Sequence, residues 1–333
     1  MYNYSEIKDV HLEITSKCQA RCPMCPRRIG GGPLNPLIHL VEINLDTFKK
    51  WFPTEFLIQL ESLFMCGNLG DPIIAQDTLE IYQYIKSINP KIRLAMHTNG
   101  SARDINWWEG LAKENVKTTF GIDGLVDTHH LYRVSTDWKK IITNAKAFIK
   151  AGGYAKWHML VFKHNEHQVD ACEQLSKELG FTEFTMKHSA RFRDGKLDVI
   201  DDDYNVINTL YPTKHSKDIT AKVKTAEKQS LPTITCKAKK DNMLYISATG
   251  NVAPCCWLDL EWTPKEADGR IEYMGKIKRF PNLHNTSLRE IFDSGFFRDI
   301  SGCWTTTGLK ECSKQCGSFD KLNSQFVQKV EHE

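Results

Sequence analysis

Along residues 1–190, short alternations of apolar and polar residues trade places with stretches of helical periodicity. "VHLEIT" (10–15) has the period of two expected of a half-buried strand. "SLFMCG" (62–67) is a short apolar run ending at a glycine turn. Ile74, Thr78, Leu79, Ile81, Tyr82 and Ile85 then recur at helical spacing, and "IRLAMHTNG" (92–100) alternates again before closing on Asn-Gly. "NWWEGLAKEN" reads as a helix and "VKTTFGIDG" (116–124) as a strand. Trp138, Ile141, Ile142, Ala145, Phe148 and Ile149 line one helix face, stopped by Gly152-Gly153. "YAKWHMLVF" is the next strand; Val169, Cys172, Leu175 and Leu179 line the next helix, and "FTEFTMKH" follows as a sixth strand.

This rhythm predicts an α/β chain of consecutive βαβ units around a parallel sheet. Six strands suffice for an open, partial (βα)6 barrel and fall short of a closed eight-stranded one. In such sheets the chemistry sits in loops at the carboxyl ends of strands. A cysteine-rich loop follows the first strand, and "GNLGDP", "TNG" and "GIDG" close the next three, so four notable loops share one face. Beyond residue 190 the rhythm fails. "MLYISATGNVAPC" (243–255) reads as a hairpin turning at Thr249-Gly250-Asn251, and "SLREIFDSGFFRDI" (287–300) as one amphipathic helix with Ser287 at its N-cap. The expected division is a barrel over 1–190, a linker over 191–235 and a small α+β domain over 236–325.

Composition narrows the setting. Of 333 residues, 41% are hydrophobic and 10% aromatic, enough for a substantial core. No apolar run approaches the roughly 20 residues needed to cross a bilayer, and "MYNYSEIKDV" lacks the basic and apolar regions of a secretion signal. A cytoplasmic location is expected, where eleven cysteines point to metal ligation and redox chemistry more than to disulfides. The net charge of +3 argues against a nucleic-acid partner, and the lysine-rich segment 212–240 reads as a solvated linker.

The cysteines carry the chemistry. Cys18-x3-Cys22-x2-Cys25 has no fourth Cys or His close by, whereas structural zinc takes four ligands, usually from two C-x2-C knuckles. A zinc reading needs a distant residue such as His11 or His97. A cubane iron–sulfur cluster instead accepts three thiolates and keeps one iron open for a small molecule. Cys66 and Cys172 have apolar neighbours and read as ordinary buried thiols. Trp107-Trp108 read as core packing; His129, His130, His164 and His167 as surface or hydrogen-bonding groups; and Asp201–Asp203 as an acidic turn. Arg191 and Arg193 leave the sixth strand at the loop face, either to hold an anionic substrate group or as part of a solvated loop.

C-x3-C-x2-C behind the first strand of a βα-repeat domain resembles the radical S-adenosylmethionine (radical SAM) enzymes. The resemblance implies a [4Fe–4S] cluster on Cys18, Cys22 and Cys25, its open iron chelated by S-adenosylmethionine. Reductive cleavage of that cofactor then yields a 5′-deoxyadenosyl radical that abstracts hydrogen from the substrate. Gly70, Asp71 and Pro72 lie where the family has Gly-Gly-Glu-Pro, with Leu69 and Asp71 departing from the pattern. Asn99 matches the loop after the third strand, and Asp123 and Arg133 look like the S-x-D-G…R region near the cofactor's ribose and carboxylate.

Farther on, Cys236-x13-Gly250-x4-Cys255 followed by Cys312-x3-Cys316 resembles the SPASM and twitch extensions, which carry auxiliary clusters. The shortened cysteine run implies one auxiliary [4Fe–4S] cluster, on Cys236, Cys255, Cys312 and Cys316. Cys256 and Cys303 stay open as replacements, although adjacent Cys255 and Cys256 point to opposite sides of a regular strand. A zinc ribbon is the alternative, since both site types use thiolate tetrads.

The expected function is hydrogen abstraction that modifies or oxidises a peptide or protein, with flavodoxin or ferredoxin as reductant. Two rivals remain: a dehydrogenase or epimerase of a small alcohol or sugar, and a non-catalytic iron–sulfur or zinc protein. No membrane partner is expected.

Overall fold

Six parallel strands pair in chain order: β1 (Asp9–Leu12), β2 (Ser62–Met65), β3 (Arg93–Thr98), β4 (Val116–Gly121), β5 (Ala155–Val161) and β6 (Glu183–His188). The computed structural model describes residues 3–189, 191–192, 195–217, 234–259, 280–302, 304, 312, 315–317 and 327–332. Sequential parallel neighbours make an open barrel whose loop face is the carboxyl end of every strand. Two short helices without a clear periodic signal, α1 (Leu45–Trp51) and α2 (Thr54–Gln59), fill the first crossover. The later crossovers carry α3 (Thr78–Ile88), α4 (Ile105–Lys113), α5 (His129–Tyr132) with α6 (Trp138–Lys150), and α7 (Val169–Glu178). Asn44, Asp104 and Asp137 cap α1, α4 and α6 by accepting from backbone N–H groups two or three residues inside each helix.

The period-two pattern sorts the side chains. Leu94, Met96, Trp157 and Met159 are fully buried under the helices. The opposite face looks into the barrel, where His11, Phe64 and His97 meet ring to ring across β1, β2 and β3, and His97 reaches His158 of β5 past β4. On the helix side Trp108, Phe120, Phe148, Phe181 and Trp157 form a continuous aromatic layer. Trp108 is thus core, as expected, with Trp107 edge-on to it at 5.1 Å.

After β6 the chain forms an antiparallel hairpin, β7 (Leu197–Ile200) and β8 (Val206–Leu210), inside the expected linker. Asp201–Asp203 form its turn, and Asp202 pairs with Arg21 of the cysteine loop at 2.6 Å. The expected hairpin at 243–255 is present as β9 (Met243–Ile246) and β10 (Val252–Ala253), turning through Gly250 at φ +86°. It stands against the barrel: β9 runs parallel along β1, with Asp9 opposite Met243 and Leu12 opposite Ile246. At the other end β11 (Val327–Glu331) pairs antiparallel with β6, completing a nine-stranded sheet among the described residues.

The single helix expected over 287–300 is instead two, Leu288–Asp293 and Phe296–Gly302. Gly295 sits between them at φ +83°, a left-handed turn that ends a helix. Ser287 is the N-cap, with Glu290 completing a capping box. Among the described residues no helix is long and apolar enough to cross a membrane.

Candidate active site and a second cysteine cluster

The loop after β1 is held open from several sides. Ser16 Oγ donates to the His39 carbonyl at 2.6 Å, Arg21 N–H donates to the Val134 carbonyl, and Cys25 N–H donates to the Cys22 carbonyl. Cys22 is buried, with Cys18 and Cys25 partly so. Burial raises the Cys18 thiol and pushes Cys22 up to about 11, so both are neutral until a metal displaces their protons. Among the described residues no three thiol, imidazole or carboxylate groups converge closely enough for a single ion. A cubane spreads its thiolates over separate irons and fits such a loop; tetrahedral zinc draws all its donors to one point. His11, a candidate for the distant fourth ligand of a zinc reading, contacts the Cys66 carbonyl through Nε2 at 2.7 Å.

The loops after β2 and β3 are clasped together beside these thiols. Asp71 Oδ2 accepts from the Asn99 backbone N–H at 2.7 Å and from Asn99 Nδ2 at 2.6 Å, while Asp71 Oδ1 accepts from Ile73 N–H at 3.2 Å. Both oxygens of Asp71 therefore serve the protein itself, which gives the shorter Asp a physical role at this position. Asn99 Nδ2 also points at Cys18 Sγ, 3.6 Å away, and Asn99 Oδ1 accepts from Gln19 Nε2 at 2.7 Å. Gly70 packs so closely on the β1 loop that a Cβ there would run into the Thr15 carbonyl. Pro72 opens a short 3-10 turn that Asp71 caps.

Asp123 and Arg133 meet on the far side of the loop. Arg133 Nε donates to Asp123 Oδ2 at 2.6 Å, and Asp123, fully buried, also accepts from Leu160 N–H at 2.6 Å. Arg133 Nη1 lies 3.9 Å from Cys22 Sγ. Burial works against the guanidinium's charge, yet Asp123 holds it firmly protonated. Gly121 leaves the space this side chain needs, since a Cβ would approach Arg133 Nη2 to 2.7 Å.

Two features lay outside the sequence reading. Gln19, between the first two cysteines, ties its loop to Asn99. Glu13, one residue past β1, is 2% exposed, and its Oε1 accepts from Tyr245 O–H at 2.9 Å and Asn68 N–H at 2.8 Å. Burial pushes its carboxyl up to about 7 despite those bonds. Glu13 falls in the polar phase of the alternating strand "VHLEIT", a place that ordinarily faces solvent, so the pattern carried no signal of its burial. The barrel histidines are held neutral: burial first, then His158 and His11, lower His97 to about 3, and burial with Arg133 lowers His158 to about 4. Arg191 reaches the Met24 carbonyl at 3.4 Å, beside the cysteine loop; Arg193 lies outside the described residues.

The C-terminal cysteines meet in one cavity of roughly 130 Å³. Cys236, Cys255, Cys256, Cys312 and Cys316 all line it, with Trp257, Trp304 and Ile300 supplying apolar wall. Cys236 Sγ accepts from Lys239 N–H at 3.5 Å, and Thr235 N–H donates to the Cys316 carbonyl at 2.9 Å. A bond with Cys316 and burial raise the Cys236 thiol, and burial brings Cys255 up to about 12. Cys256 lines the cavity beside Cys255 and also shares its surroundings with Glu13 and Cys66. Cys66 is therefore a partly buried thiol in polar company, whereas Cys172 is fully buried in the core. Cys303 lies outside the described residues.

Comparison with known proteins agrees on fold. Residues 236–317 match the SPASM family, an iron–sulfur cluster-binding domain. The chain superposes on Streptococcus suis SuiB bound to S-adenosylmethionine with a TM-score of 0.57 and 14% identity, covering 92% of this chain and 72% of SuiB. It superposes on anSMEcpe with bound AdoMet at the same TM-score of 0.57 and 16% identity, covering 95% of this chain and 90% of that one. SuiB in complex with its precursor peptide SuiA gives a TM-score of 0.53 at 14% identity, over 86% of this chain and 64% of SuiB.

Proposed function

We propose, from the premise that this chain carries a radical SAM fold ending in a SPASM iron–sulfur cluster-binding domain, that it is an enzyme that uses S-adenosylmethionine to abstract hydrogen from a peptide. Cys18, Cys22 and Cys25 would hold a [4Fe–4S] cluster with one open iron. When bound, that cluster supplies the electron that splits S-adenosylmethionine into methionine and a 5′-deoxyadenosyl radical. Gly70, Asp71, Pro72, Asn99, Asp123 and Arg133 would line the place of the cofactor. Asn99 and Arg133 aim N–H groups at Cys18 and Cys22, and N–H groups stabilise thiolates carrying negative charge. Cys236, Cys255, Cys312 and Cys316 would hold a second [4Fe–4S] cluster. The barrel walls keep water and stray hydrogen donors from a radical that reacts with most C–H bonds.

The observation that carries this reading is the convergence of the loops after β2, β3 and β4 on one open three-thiol loop through Asp71, Asn99, Asp123 and Arg133. A peptide substrate is favoured because SuiB binds the precursor peptide SuiA and anSMEcpe binds the Cp18Cys peptide. A flavodoxin or ferredoxin is the fitting one-electron donor.

The test is anaerobic reconstitution with iron and sulfide, followed by S-adenosylmethionine and dithionite. The expected result is 5′-deoxyadenosine, lost in Cys22→Ala. Iron should reach about eight per chain and fall to about four when Cys236 and Cys316 are replaced by Ala. Bound zinc with intact S-adenosylmethionine refutes the reading.

A further inference from the structure

Arg27 stands two positions after the third cysteine and is buried, with 3% of its surface exposed. Its Nη2 donates to the carbonyl of Ala20, midway along the stretch between Cys18 and Cys22. Its Nε is buried and reaches no acceptor. Its backbone is pinned as well, since Asn35 N–H donates to the Arg27 carbonyl. The other guanidiniums here have acids: Arg21 and Arg28 meet Asp202, and Arg133 meets Asp123. Among the described residues no carboxylate lies within ion-pair distance of Arg27.

A guanidinium stays protonated in proteins. A buried charge without a partner strongly disfavours the folded state. Something other than a carboxylate must therefore answer this charge, and the guanidinium lies inside the cysteine loop, tied to the Ala20 carbonyl between Cys18 and Cys22 and two residues past Cys25. A cubane cluster on three thiolates carries net negative charge, which grows when it takes an electron. Arg133 also touches Cys22, but Asp123 already neutralises it. Arg191 reaches the loop from its exposed side, at the Met24 carbonyl, whereas Arg27 brings its charge to the loop buried and without an acid among the described residues.

We infer that Arg27 is the buried counter-ion of the N-terminal cluster, a positioning residue that retains the cluster in its loop and eases its reduction. The inference rests on the cluster reading above. It gives the "PRR" run after Cys25 a division of labour: Arg28 anchors the loop to the β7–β8 turn, and Arg27 turns inward to the stretch between Cys18 and Cys22.

The test uses the full chain, reconstituted anaerobically with iron and sulfide. Arg27→Gln keeps a donor for the Ala20 carbonyl and removes the charge; Arg27→Lys keeps the charge. Redox titration follows the electron paramagnetic resonance signal that S-adenosylmethionine perturbs. Arg27→Gln is expected to shift that midpoint potential to more negative values and to lose iron faster to a chelator, with Arg27→Lys close to wild type. Thermal melts supply the second readout. Cluster-free Arg27→Gln should melt at or above cluster-free wild type, and loaded Arg27→Gln below loaded wild type. An unchanged potential in Arg27→Gln, or an equal loss of melting temperature in cluster-free and loaded forms, overturns the proposal and leaves Arg27 a mechanical brace. If Arg27→Gln takes up no cluster, the cluster-free melts decide. A wild-type chain with no signal that responds to S-adenosylmethionine overturns the parent reading, and this one with it.

Discussion

At the scale of single residues, the site is built from charges that burial would make unfavourable without particular partners. Asp123 is fully enclosed and meets Arg133, so removing either leaves the other as an unpaired buried charge. Asp123→Ala should lower stability by about 3–5 kcal/mol in urea unfolding, far more than loss of the exposed Lys196–Asp198 pair. Glu13 has the opposite character. Its carboxyl is raised from near 4.5 to about 7, so the folded chain holds a proton that the unfolded chain has released. Its contribution to stability is greatest below about pH 4.5 and falls as pH rises to about 7. Glu13→Gln removes that slope. Relative to wild type the variant should gain up to about 3 kcal/mol between those limits, read from urea melts at pH 4.5 and pH 8. A difference between the two proteins that does not change with pH would contradict the assignment.

At the scale of elements, the loops function as one because they are bolted to each other. Asp71 joins the β2 loop to the β3 loop through Asn99, and Gly70 lets the β2 loop lie against the Thr15 carbonyl. Gly70→Ala forces these loops apart. A stability loss of about 1–3 kcal/mol is expected, together with weaker retention of S-adenosylmethionine in equilibrium dialysis. Asp71→Asn exchanges one acceptor oxygen for a donor opposite Asn99, and should weaken cofactor retention without affecting the C-terminal cavity. The end strands answer a separate problem. The six-stranded sheet has two open edges, and unpaired edges invite association with other chains. β9 covers β1 and β11 covers β6, both drawn from the C-terminal third of the chain.

At the scale of the whole molecule, barrel and C-terminal region share one core. Leu244, Tyr245, Ile246 and Val252 are buried in the same cluster as Val10, Leu12 and Leu63. Tyr4 packs edge-on against Phe292 at 5.8 Å, and the Arg289 guanidinium lies 4.4 Å over its ring, so the first helical turn also depends on the helix Leu288–Asp293. A chain ending at residue 235 loses the cover of β1 and the Tyr245 bond to Glu13. It should aggregate or unfold at concentrations where the full chain remains monodisperse by size-exclusion chromatography. A folded, monodisperse fragment would show that the two parts are energetically independent.

Local patterning along the chain determined the six barrel strands, the cysteine loop and its neighbours, and the hairpin around Gly250. These follow from periodicity, turn chemistry and thiol spacing, which act between residues close in sequence. The two helices of the first crossover escaped notice because their apolar positions are few and short, and the helix at 287–300 was divided by Gly295, whose left-handed φ only the packed chain reveals. Tertiary structure alone decided that Asp71 turns to Asn99, that β9 lies on β1, and that Arg27 meets no carboxylate among the described residues. Each depends on what a distant segment brings alongside, and burial, which sets the cost of a charge or an open strand edge, belongs to the assembled molecule.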